Sequence, residues 1–303
     1  MSASDAPDII DKQLDSDLCS GRVQPADDIL NNSNSPFISP PLGQVDKSDG
    51  GFRRIHHLLF PIGDSVNDRR YPHVHGRNRY FFFDAVKRAG RGSLMLKRDF
   101  KDAFRMIPVA PEHRWPLGFS WRGQYYTVKC LPFGLRTAPF LFNLFAEGLH
   151  WIPLASAMPD WQLQIVHYLD DFIRVLPAGT DPLPAAQHYN DLCWLLGLTD
   201  NAKKSMEGTH VECLGIEIDT MLMTARLPAS KIAKGLRPVV DALTAGRLTQ
   251  HTTEKLAGFL SFCTTVIPLG RTFLARLWQF HRTSSDPMAL RPLTSAAVKD
   301  LNW

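Results

Sequence analysis

Leu163-Gln164-Ile165-Val166-His167-Tyr168-Leu169-Asp170-Asp171-Phe172-Ile173-Arg174-Val175-Leu176 is the stretch on which the reading of this chain turns. It reads as an apolar strand, a tight turn and a second apolar strand, with two adjacent aspartates at the turn. An ionised carboxylate taken out of water is costly unless a positive group meets it. The pair is therefore either an ordinary solvated turn, since Asp favours turns for its own reasons, or a place where a cation is expected. The natural cation is Mg²⁺, a hard ion held by one or two carboxylates plus substrate phosphates.

Outward from this hairpin, strands and helices alternate. Leu94-Met95-Leu96 begins a strand that closes at Asp99, after a helix around Phe83 to Arg88 that Gly90 stops. Leu117 to Trp121 and Gln124 to Val128 flank Arg122-Gly123 as a hairpin, and Phe52-Arg53-Arg54-Ile55 reads as the strand returning from a turn at Asp49-Gly50-Gly51. A helix is predicted from about Ala138 to His150, with Phe140, Leu144, Phe145 and Leu149 as its apolar face. A helix from about Ala185 to Leu196 and a strand over Val211 to Ile218 come next. Helical segments near Lys231 to Leu243, Thr253 to Val266 and Thr272 to His281 end the chain. Interleaved strands and helices with a helical tail place it in the α+β class.

The chain has 303 residues, with 34 Lys plus Arg against 30 Asp plus Glu, for a net charge of +4. Asp5, Asp8, Asp11, Asp15, Asp17, Asp27 and Asp28 precede residue 35 against Lys12 and Arg22, so the remainder holds 32 bases and 23 acids, about +9. A basic body suits a polyanion such as nucleic acid. The polar, acidic first 34 residues, closing on Asn31-Asn32-Ser33-Asn34-Ser35-Pro36, read as a disordered tail. Cys19, Cys130, Cys193, Cys213 and Cys263 have no zinc or disulfide spacing, which points to a reduced intracellular chain, cytoplasmic or nuclear. A signal peptide and a membrane-length apolar run are both lacking, so no membrane association is expected. His73-Val74-His75 has metal-like spacing without a third ligand nearby and reads as a loop. His56-His57 reads as packing or touching nucleic acid rather than doing acid–base work.

One turn cannot hold two metals symmetrically, so a carboxylate from another strand is expected, and Asp99 supplies it. In order along the chain, Asp99-Phe100-x-x-Ala103-Phe104, then Leu131-Pro132-Phe133-Gly134-Leu135-x-x-Ala138-Pro139, then Tyr168-x-Asp170-Asp171 resemble the motif set of retroelement reverse transcriptases. Arg53-Arg54-Ile55-His56-His57-Leu58 and Ser65-Val66-Asn67-Asp68 resemble the fingers of these enzymes. Lys203-Lys204 and Val211-Glu212-Cys213-Leu214-Gly215 resemble their lysine segment and primer grip. With Ala146-Glu147-Gly148-Leu149-His150-Trp151, the block is most similar to retrotransposons of the tyrosine-recombinase (DIRS-like) group. The match covers about Ser35 to Ile218 well and the tail, with Gly270-Arg271-Thr272-Phe273-Leu274, more loosely.

The resemblance implies a right-hand polymerase with fingers, a palm of antiparallel sheet plus helices, and a partial helical thumb. Its domains would be a tail at 1–34, fingers and palm at 35–227, and a helical thumb or connection-like region at 228–303. The implied reaction adds dNTPs to a primer 3′-OH on an RNA or DNA template, using two Mg²⁺ ions, or Mn²⁺, in an in-line displacement. Asp99 and Asp170 would hold the metals, with Asp171 in a lesser role. Lys204 matches the candidate general acid for pyrophosphate, with Lys203 a close rival and a plain surface charge the alternative. Arg53 matches the arginine that holds the triphosphate, while Lys47 lies beside the place of a second phosphate-holding lysine, which Asp46 occupies. Phe104 would pack beneath the sugar and exclude a 2′-hydroxyl, or serve in the core. Phe133 and Gly134 would let the backbone approach the nucleotide, a plain turn being the alternative. Leu214 and Gly215 would form the primer grip, and Asp102 reads as solvated.

The implied partners are primer–template, dNTPs and the remainder of a retroelement polyprotein carrying RNase H and recombinase. Two other readings stand beside this one. The chain could be an inactive or domesticated fragment that binds nucleic acid without polymerising, as the lack of an RNase H or recombinase region before Trp303 would fit. An RNA-templated RNA polymerase is the other, disfavoured by Phe104 and by Tyr168-Leu169 ahead of the aspartates.

Overall fold

The computed structural model describes residues 3–30, 37–46, 51–68, 81–155, 165–267, 269–283 and 286–303. The turn expected at Asp49-Gly50-Gly51 falls largely outside them, as do Lys47 and His73-Val74-His75 entirely. The chain forms two compact units, the first of Met1–Ala85, Leu96–Leu176 and Asp181–Ser205, the second of Val86–Met95, Pro177–Thr180 and Met206–Trp303. The chain last crosses between the two units at 205/206.

In the first unit the expected hairpin is Ile165–Tyr168 antiparallel to Asp171–Leu176, with Tyr168 opposite Asp171. Leu169, at φ 52°, takes the left-handed conformation that lets two residues reverse the chain. Asp171–Leu176 lies between Ile165–Tyr168 and Leu94–Asp99, which explains why Phe172 to Leu176 are all buried, Arg174 included, and not alternately exposed.

The helix Ala138–Ala155 closes one face of this sheet, and Phe142, Ala146 and Leu149 pack with Ile165 and Phe172. Phe140 and Leu144, expected on that face, are exposed. The helix is apolar nearly all round, so periodicity could not single out the stripe that the sheet would cover.

Of the expected disordered tail, the described residues 3–30 are ordered. Pro7–Cys19 is a helix with proline in its first turn, and Val23–Pro25 pairs with the Gln124–Val128 strand, Val23 opposite Val128. Ile10, Leu14 and Val23 share a core with Leu42, Phe119 and Val128. The helical spacing of Ile10, Leu14 and Leu18 was masked by the surrounding acids, of which Asp11 and Asp17 meet arginines in the fold.

In the second unit, the single strand expected over Val211 to Ile218 is a hairpin, His210–Cys213 and Ile216–Asp219, extended by Thr224–Arg226. Leu214 and Gly215, at φ 50° and 74°, make the turn. Alternation runs on each side of the reversal, and only the change of phase at Leu214-Gly215, from Val211 and Cys213 to Ile216 and Ile218, marks it. The buried Thr220 hydroxyl donates to the Ser93 carbonyl at 2.6 Å, and the Gly92 N–H donates to the Thr220 carbonyl at 3.0 Å. Those bonds draw the segment before Leu96 into this unit and explain why it starts ahead of the helices. Ala229–Ala245, Gln250–Cys263 and Ala275–Arg282 then bury Ala242, Leu256, Ala257, Leu277 and Phe280 together. Among the described residues no helix is long and apolar enough to cross a membrane.

Candidate active site

Asp99 ends its strand and Asp170 occupies the hairpin turn. The Phe100 N–H donates to the Asp170 carbonyl at 3.3 Å and ties the two together. Asp99 is buried. Its Oδ1 accepts from Asn201 Nδ2 at 3.1 Å and its Oδ2 from Lys204 Nζ at 3.3 Å. Asn201 and Lys204 belong to one turn, in which the Lys204 N–H donates to the Asn201 carbonyl at 2.9 Å. Lys204, not Lys203, therefore stands on Asp99. Asp171 Oδ1 lies 3.2 Å from Lys97 Nζ.

Burial raises the Asp170 carboxyl above the usual carboxylate range, and the charges of Asp171 and Asp99 push the same way. Burial also raises Asp171, opposed by Lys97. Like charges crowded at a half-buried turn are what a divalent cation relieves. Among the described residues no three His, Cys, Asp or Glu side chains form a closed cage. Mg²⁺ takes one or two carboxylates and completes its shell with water and phosphate. Asp99 and Asp170 fit as its ligands, with Asp171 engaged by Lys97.

A pH dependence follows. Both carboxyls bind protons more readily folded than unfolded, so each adds stability as pH falls through its raised folded pKa and withdraws it as pH rises. Metal-free thermal melts should therefore show a weaker decline from acid to neutral pH for Asp170→Asn than for the native chain. Equal slopes would contradict the assignment.

Phe104 lies in the one-turn helix Ala103–Met106, entered through Asp102 at φ 54°. Its half-buried ring is 5.7 Å from that of Phe133 and 5.8 Å from that of Phe142, so it belongs to the packing while keeping part of its surface open. The Arg53 guanidinium stands over the Phe133 ring at 4.3 Å. Arg53, Phe133 and Phe104 thus form one continuous row. Asp102, expected to be solvated, is half-buried and pairs with Arg22 at 3.1 Å.

Gly134 is required by backbone packing. Its φ is 106°, and a Cβ there would stand 2.0 Å from the His56 carbonyl oxygen. The His56 N–H donates to the Phe133 carbonyl at 2.9 Å. Asn67 locks the same loop, donating from Nδ2 to the Gly134 carbonyl at 2.8 Å and accepting from the Arg136 N–H at 2.8 Å. Burial, then the charges of Arg54 and Arg105, hold the His56 imidazole well below its ordinary range, so it packs as a neutral ring on Phe119.

Leu214 and Gly215 lie in the second unit. A Cβ at Gly215 would stand 1.5 Å from Lys231 Nζ, which sits over the Phe262 ring at 4.5 Å. Lys97, Asn67 and Asn201 were not singled out from sequence as contributors. Lys97 was the most accessible of them, since strand alternation puts it on the face of Asp99. Asn201 and Asn67 act only through the folded loops.

The profile of the family described as "Reverse transcriptase (RNA-dependent DNA polymerase)" matches residues 47–218. That span holds Arg53, Phe104, Phe133, Gly134, the three aspartates and Lys204. The chain belongs to the reverse transcriptase family. A genome polyprotein of Petunia vein clearing virus (isolate Shepherd) is 23% identical over 209 residues, covering 69% of this chain and 9% of the polyprotein. A Pro-Pol polyprotein of Simian foamy virus type 3 is 25% identical over 191 residues, covering 63% of this chain and 15% of the polyprotein. This reverse transcriptase chain thus spans a small part of such relatives. Among solved structures it is similar to foamy viral protease-reverse transcriptase in complex with double-stranded DNA (TM-score 0.71, 18% identity, 97% of this chain and 46% of that one). It is also similar to foamy viral protease-reverse transcriptase with RNA/DNA hybrid (TM-score 0.72, 18% identity, 100% and 36%). The right-hand polymerase fold is the expected one.

Proposed function

We propose that this chain is an RNA-directed DNA polymerase that extends a primer 3′-OH with deoxynucleotides. The observation that carries the reading is the buried Asp99, gripped by Asn201 and Lys204, beside an Asp170 whose charge is disfavoured by burial and by its acidic neighbours. A divalent cation at Asp99 and Asp170 would neutralise charge on the reacting phosphoryl oxygens. The remaining work falls to the chain's own side chains. Arg53 holds the triphosphate with a fork of donors. Phe104 floors the sugar. Lys204, on the edge of the site with its side chain 53% exposed, can give a proton to departing pyrophosphate. Exposed Leu144 and Trp151 on the helix Ala138–Ala155 offer apolar surface to a template, and the basic body grips its phosphates. The polyprotein relatives support a setting within a longer polyprotein, and RNase H as a neighbour there rests on the motif likeness. The finer DIRS-like affiliation rests on the motif likeness, and an adjoining tyrosine-recombinase frame at the locus would test it.

Primer extension on poly(rA)/oligo(dT) with dTTP and Mg²⁺ tests the activity. Incorporation is expected; none by a folded chain would sink the polymerase reading and leave the nucleic-acid-binding remnant. Phe104→Ala is expected to raise ribonucleotide use relative to deoxynucleotide by roughly 10- to 100-fold, the discrimination an apolar surface exerts on one hydroxyl. Unchanged sugar preference would put the gate elsewhere.

A further inference from the structure

The acidic N-terminal helix reaches the nucleotide-facing row. Asp17, buried near the end of Pro7–Cys19, accepts at one oxygen from two arginines, Arg54 at 2.5 Å and Arg105 at 2.8 Å. The side chains of Asp17 and Arg54 are 7% and 2% exposed, so this is an interior ion pair and not a surface one. Arg54 follows Arg53 on its strand, and Arg105 follows Phe104 on its turn. The far ends of the same two segments meet again through Phe133, under Arg53 at 4.3 Å and beside Phe104 at 5.7 Å. The contacts close a ring with Asp17 as the one acidic member. Five residues on, Arg22 holds Asp102, at the entrance to the Phe104 turn, at 3.1 Å. One segment thus braces the Phe104 turn on both sides.

We infer that Asp17 is a positioning residue for nucleotide selection: through Arg54 and Arg105 it sets the spacing between Arg53 and Phe104, and so both the KM for dNTP and the exclusion of ribonucleotides. The inference rests on the polymerase reading. Asp17 touches neither nucleotide nor metal ligand, so its loss acts on binding and sugar choice before it acts on kcat. Removing one partner of a buried pair also leaves a charge stranded. Arg105→Gln is therefore the second variant, because it frees the Phe104 turn while keeping the bond between Asp17 and Arg54.

The experiment compares native chain, Asp17→Asn, Arg105→Gln and Asp11→Asn. Asp11 ties the same helix to Trp121 and Arg122 at 2.7 and 2.5 Å, away from Phe104, and serves as the control. Expected for Asp17→Asn and Arg105→Gln is a dNTP KM up roughly fivefold, deoxy-over-ribo preference down roughly fivefold, and kcat within about twofold, the scale of a small misplacement in a binding site. Faster amide exchange over residues 100–107 is expected in both, and in neither respect should Asp11→Asn change. Folded Asp17→Asn and Arg105→Gln chains that keep native KM, sugar preference and exchange would overturn the inference, even if they melt earlier. Exchange is read without turnover, so an inactive native chain would defeat the polymerase reading while the positioning claim is still decided.

Discussion

Asp170→Asn should remove primer extension almost completely and leave the fold as stable as before or firmer. The two effects have one cause. Burial and the charges of Asp171 and Asp99 all disfavour an ionised Asp170, so its charge is held against the interest of the fold. The amide keeps the shape of the side chain, and the Asp170 carbonyl still accepts from the Phe100 N–H, a main-chain bond that the substitution does not touch. What disappears is the negative oxygen that can hold a divalent cation. Losing several kcal/mol of charge stabilisation at the reacting phosphate corresponds to a fall in kcat of at least about a thousandfold. Single-nucleotide extension alongside a thermal melt measures both. An equally active variant would end the assignment, and an inactive one that melts far below native would point to a structural role. Asp171→Asn should cost less activity, because Asp171 already has a cation in Lys97 at 3.2 Å.

Gly134→Ala should unfold the chain more easily by about 3 kcal/mol or more and raise the dNTP KM in whatever remains folded. Two penalties combine. A φ of 106° is strained for any residue with a side chain, and the new methyl would meet the His56 carbonyl oxygen at 2.0 Å, backbone that cannot rotate away. The loop would have to leave the Phe52–His56 strand, breaking the His56 to Phe133 bond and the Asn67 clamp, and taking Phe133 from beneath Arg53. Gly148→Ala is the matched contrast. It lies in the helix Ala138–Ala155 with open space around its missing Cβ, and there alanine should stabilise by about 0.5–1 kcal/mol. Denaturant unfolding of the two variants reads the difference directly. Similar effects from both would show that the His56 contact is not what requires glycine.

Those predictions separate what was legible in the chain from what was not. The strand ending at Asp99 and the hairpin around Asp170 could be read because short-range patterns specify them: an apolar run, a two-residue reversal and charges where none belong. Phe104 and Gly134 were visible as residue types in ordered motifs, but the reason for Gly134 was not, since it depends on a carbonyl almost eighty positions upstream. The acidic start of the chain misled because its charges were counted without partners. Asp11 and Asp17 look like solvating residues until Arg122, Arg54 and Arg105 stand opposite them. The turn at Leu214-Gly215 was hard to read because each side alternates like a strand and only a one-residue change of phase separates them.

By itself the sequence determined the fold class, the family and the places of Asp99 and Asp170 at a strand end and a hairpin turn, because each is written in local pattern and in motif order. The tertiary structure alone decided which lysine stands on Asp99, which face of Ala138–Ala155 is buried, and that the N-terminal helix braces the row from Arg53 to Phe104. The physical reason is the same in every case: charge pairing and close packing join residues far apart in the chain, and which of many possible partners is met depends on the fold.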